Sequence, residues 1–89
     1  MADKKKLFDS SVLKTREEAS RFLRELADKV ESGSVSVVQG DQELTIEVPQ
    51  QVKLDFEFTE KNKGAKGIQQ EIEVELKWYE GDKGPVQLK

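Results

Sequence analysis

The chain has 89 residues, with 15 lysines and arginines against 18 aspartates and glutamates, a formal net charge of -3 and neither histidine nor cysteine. That length supports one small core and little internal cavity, so any site is expected on the surface. The missing residue types remove the commonest general base, the commonest zinc ligands and the thiolate nucleophile, while a carboxylate pair in a cleft stays open as a catalyst. No enzyme activity and no cofactor are expected.

The opening Met1-Ala2-Asp3-Lys4-Lys5-Lys6 is basic, yet no apolar stretch of about 7 to 15 residues follows it as a signal peptide requires. Residues 1–6 read as a disordered basic N-terminus of a cytoplasmic protein. No run approaches the roughly 20 apolar residues of a membrane span. The net negative charge argues against nucleic acid as a partner, because such affinity comes from clustered Lys and Arg.

Leu7-Phe8 and Val12-Leu13 flank Asp9-Ser10-Ser11 and read as a short edge strand. Ser10 and Ser11 have no base to activate them as nucleophiles. Thr15-Arg16-Glu17-Glu18 is a capping box: the Thr15 hydroxyl can accept from the Glu18 amide, while the Glu18 carboxylate accepts from the Thr15 amide. It predicts a helix from Arg16.

Ala19, Phe22, Leu23, Leu26, Ala27 and Val30 then recur at helical spacing and form one apolar stripe. Glu17 with Arg21 and Glu25 with Lys29 stand at i, i+4. Gly33 can take the left-handed conformation that ends a helix, which bounds the helix at Ser32.

After the helix the period changes to two. Val35 and Val37 alternate with serines, Gly40-Asp41 supplies a hairpin turn, and Leu44, Ile46 and Val48 alternate with Glu43, Thr45 and Glu47. Closing the turn with Gln39 opposite Gln42 sets Val37 against Leu44 and Val35 against Ile46, which places the apolar residues of both strands on one face. Pro49-Gln50-Gln51 interrupts the ladder, and Val52, Leu54, Phe56 and Phe58 begin a third alternation. A meander would pair Val48 with Val52, Ile46 with Leu54 and Leu44 with Phe56.

Glu60 to Gly67 reads as a polar loop, a solvated hairpin tip carrying Lys61, Lys63 and Lys66. It joins two strands and so lacks the strand-to-helix context of a phosphate-binding loop. Ile68, Ile72, Val74, Leu76 and Trp78 form the last alternation, with Gln70 among them, and Tyr79 turns outward.

The reading is a single α+β domain over residues 7–80, of order β-α-β-β-β-β. It comprises an antiparallel four-strand meander, an N-terminal edge strand and one amphipathic helix covering one sheet face; residues 81–89 form a flexible tail. Phe22, Leu23, Leu26, Leu54, Phe56, Val74 and Trp78 are the expected structural core, where parity makes the tryptophan a packing residue before a ligand contact.

The opposite sheet face is acidic. Glu43, Glu47, Asp55, Glu57, Glu71, Glu73 and Glu75 share it with only Lys53 and Lys77, seven negatives against two positives for a net -5. Setting Phe56 against Ile72 would oppose Glu57 to Glu71 and Asp55 to Glu73, and like charges directly opposed destabilise a sheet. The face reads either as a solvated surface that discourages aggregation or as a docking surface, with Tyr79 beside it. On the second reading the chain is a protein-interaction module or homo-oligomer, using this face or its sheet edges. The alternative is a protein binding a small ligand or cation, such as a polyamine or divalent metal.

The run Ala19 to Gly33, the segment closing on Val48-Pro49, then Val52-Lys53-Leu54-Asp55 and finally Glu71-Ile72-Glu73-Val74-Glu75-Leu76-Lys77-Trp78 together resemble the amphi-Trp domain family. The resemblance covers roughly Leu7 to Gly81 and is named for amphipathic strands and a tryptophan. It implies a small prokaryotic domain without an assigned activity, and it carries over no active-site residue. Asp55 stands where the pattern leads one to expect glutamate, a departure in length and not in charge.

Overall fold

A computed structural model describes residues 4–81. Its elements are α1 (Arg16–Ser32), β1 (Ser34–Gln39), β2 (Gln42–Glu47), β3 (Lys53–Asn62), a one-turn 3-10 helix (Gly64–Lys66) and β4 (Ile68–Lys77). The chain divides into two compact units, Met1–Glu47 and Val48–Lys89, taken in turn. Of the tail expected over 81–89, residues 82–89 lie outside the described residues, as do residues 1–3.

In the first unit the capping box forms as the sequence dictates. The Glu18 amide donates to the Thr15 hydroxyl at 3.0 Å, and the Thr15 amide donates to the Glu18 carboxylate at 3.3 Å. Two of the four orphan amides of a helix start thus concern the cap itself, and Glu17 and Glu18 lie favourably at the positive end of the helix dipole. Arg21 pairs with Glu17 at 3.5 Å, whereas among the described residues no ion pair joins Glu25 to Lys29. Gly33 ends the helix at φ 93°, its amide donating to the Val30 carbonyl.

The β1–β2 hairpin has the expected register, Gln39 opposite Gln42, Val37 opposite Leu44 and Val35 opposite Ile46. Gly40 takes φ 60° and no other residue of the turn has a positive φ, the glycine-first pattern of a type II′ turn whose twist suits a hairpin. The helix packs on β1. Val35 lies on that hairpin's apolar face and, at 6% exposure, is the buried hydrophobic residue of the described chain. The other face carries a Ser36 to Thr45 hydroxyl contact of 3.0 Å across the strands.

The N-terminal segment departs from expectation. Leu7 to Leu13 form no strand; the segment instead reaches β1 through the Gln39 side chain, which donates to the Asp9 carbonyl at 3.3 Å. Its apolar pairs are too short and too interrupted by Asp9-Ser10-Ser11 to sustain period two, so no ladder forms.

In the second unit β3 and β4 form a ten-residue antiparallel ladder, Leu54 opposite Leu76, Phe56 opposite Val74 and Phe58 opposite Ile72. The strands assemble as two separate two-stranded sheets, β1-β2 and β3-β4. The four-strand meander is therefore corrected to two hairpins, and the ladder expected between β2 and β3 is absent. Residues 48–52 between them are irregular, as a proline without a donor amide followed by two glutamines favours.

The register of β3 on β4 is also corrected, by two residues. β4 starts at Ile68 as expected, whereas β3 runs further toward the loop than expected, to Asn62. The tighter tip is held by Gly64 at φ 66° and Gly67 at φ 92°, by the Lys63 amide donating to the Gly67 carbonyl at 2.8 Å, and by the Gly64 amide donating to the Asn62 side chain at 2.9 Å. A shift of two preserves which side chains share a face while changing every partner.

Burial does not follow the expected core. Phe22 is 65% and Phe56 68% exposed; Leu23, Leu26, Leu54 and Val74 are exposed as well, and Trp78, just past the end of β4, is half-buried. A two-stranded ribbon has one apolar face and no second layer of its own to cover it, which accounts for Leu54, Phe56 and Val74.

Candidate functional site: the charged face of the second hairpin

Alternation along β3 and β4 sends Leu54, Phe56, Phe58, Ile72, Val74 and Leu76 to one face and Lys53, Asp55, Glu57, Thr59, Lys61, Glu71, Glu73, Glu75 and Lys77 to the other. The observed register opposes Asp55 to Glu75, Glu57 to Glu73 and Thr59 to Glu71, in place of the Asp55–Glu73 and Glu57–Glu71 pairs expected. Both oppositions of like charge persist with exchanged partners.

Lysines compensate this face unevenly. Lys77 Nζ lies 3.3 Å from Asp55 Oδ2 and 3.3 Å from Glu75 Oε2, spanning the first acidic pair. The Asp55 oxygen is shut off from solvent and makes no aligned hydrogen bond, so this lysine's charge is what it meets. Lys61 Nζ reaches Glu71 Oε2 at 3.9 Å. Among the described residues Glu57 and Glu73 take part in no ion pair.

The electrostatics follow this geometry. The Glu73 carboxyl is raised above the ordinary glutamate value, chiefly because its protonated form can hydrogen-bond to Glu71, then because of the charges of Glu71, Glu57 and Glu75 and some loss of solvent. Lys77 is raised above the ordinary lysine value by the Glu75 carboxylate first and the Asp55 carboxylate second, each 3.3 Å from its ammonium. The lysine is thus held charged where it bridges, and Glu73 resists ionising where nothing does.

Other residues expected on one acidic surface are distributed differently. Glu43 and Glu47 belong to the first hairpin, opposite Val38 and Ser34, and so lie on a different sheet from Glu71, Glu73 and Glu75. Tyr79 lies beyond the end of β4 and is 88% exposed. Lys61, expected in the loop, belongs to this face; its odd-numbered parity with Asp55, Glu57 and Thr59 is the signal that could have placed it there. The second hairpin's face therefore has five carboxylates and three lysines, a net -2.

No group of three or more carboxylates among the described residues is arranged to hold a metal ion. No helix of the described residues is long and apolar enough to cross a membrane. In the first unit, Ser10, Val12 and Lys14 face Glu18, Arg21, Phe22 and Glu25 across a shallow groove of about 370 Å³. Lys14 pairs with Glu18 there at 3.6 Å.

Comparison of the chain with curated proteins finds no match. Comparison with solved structures finds none either. The family model of the Amphi-Trp domain matches residues 1–89, across both units and including the amphipathic strands and Trp78 described above. The chain belongs to the Amphi-Trp domain family.

Proposed function

We propose that the chain is a non-catalytic protein-interaction module whose β3–β4 hairpin receives a basic protein segment on its charged face. The observation that carries this reading is the opposition of Glu57 to Glu73 without a lysine between them. Like charges directly opposed on a sheet destabilise it, and one lysine in place of either glutamate would remove the repulsion. The same hairpin has such a lysine one step away, at Lys77. A surface shaped only for solubility needs net charge and not this opposition. A lysine or arginine from a partner would supply the missing cation and relieve strain that the free protein bears.

The non-catalytic part of the proposal rests on the lack of histidine and cysteine. Net charge modest on the face as a whole but concentrated at Glu57, Glu71 and Glu73 favours a short basic segment over a broad cationic surface.

Titration of the isotopically labelled protein with a lysine-rich synthetic peptide, followed by amide NMR shifts, tests the reading. Saturable shifts centred on Glu57, Glu71 and Glu73 are expected. A flat response to the peptide would overturn the proposal, and equal saturable shifts with spermine alone would replace a protein partner with a small polycation.

A further inference from the structure

We draw no further inference here: the strongest candidate, the exposed apolar face of the β3–β4 hairpin formed by Leu54, Phe56, Phe58, Ile72 and Val74, carries nothing because nothing in the structure shows what covers it.

Discussion

Glu57 stands directly opposite Glu73 in the β3–β4 ladder, and among the described residues neither takes part in an ion pair. One pair along, the same opposition between Asp55 and Glu75 is spanned by Lys77. The hairpin thus compensates one acidic pair and leaves its neighbour repelling, a local conflict between charge and register that the apolar pairs of the other face outweigh.

Replacing Glu57 with lysine converts that repulsion into attraction across the ladder. The thermal midpoint of Glu57→Lys is expected to rise by a few degrees, an effect on the scale of one cross-strand pair in a domain of this size. Added sodium chloride should raise the midpoint of the unmodified protein and narrow the gap, because salt screens exposed like charges. Circular dichroism melts at low and high salt provide the check, and a variant midpoint below the original would contradict the assigned register.

The raised carboxyl of Glu73 has a definite consequence for pH. Its folded state holds a proton that the unfolded chain has already lost, so its contribution to stability is fully present below the unfolded value near 4.5 and is lost as pH rises through the raised folded value. Glu73→Gln cannot ionise and keeps that contribution. The variant is therefore expected to be the more stable protein at pH 7, with the difference closing as pH falls below about 4.5. Urea unfolding of both proteins across this range measures it, and a pH-independent difference would show that the Glu71 and Glu57 charges do not act on Glu73.

The helix start offers an independent test of local physics. Thr15→Ala removes the hydroxyl that accepts from the Glu18 amide and should cost about 1 kcal/mol, with Thr15→Ser close to neutral. Chemical denaturation followed by far-ultraviolet circular dichroism reports the loss. Equal losses in both variants would mean that the cap contributes nothing through its oxygen.

These elements differ in how far they could be read in advance, and the reason is range. Thr15, Glu18, the stripe from Ala19 to Val30 and Gly33 act within a few residues of one another, so α1 appears with its expected bounds. The first hairpin was equally legible because Gly40-Asp41 leaves a single closure that puts Val35, Val37, Leu44 and Ile46 on one face. The second hairpin has a longer tip with two glycines that can close in more than one way, and parity alone cannot distinguish registers two residues apart. Hence the faces of β3 and β4 were correct while Glu57 received the wrong partner. The pairing of β2 with β3 assumed a tight return through Pro49-Gln50-Gln51, and the edge strand at Leu7 lacked a named partner; alternation supplies a face and no neighbour. The resemblance to the family rested on the helix motif, the proline and Trp78 taken together, and the family match bears it out over the whole chain.

The central claim is that Glu57 and Glu73 bear a repulsion which a basic partner relieves. Calorimetric titration of the lysine-rich peptide into the unmodified protein and into the double variant Glu57→Gln with Glu73→Gln tests it most directly, with melts of both proteins alongside. The account predicts that the double variant melts higher and binds the peptide at least tenfold more weakly, about 1.4 kcal/mol of lost affinity. A variant that binds the peptide as tightly as the unmodified protein, whatever its midpoint, would contradict it.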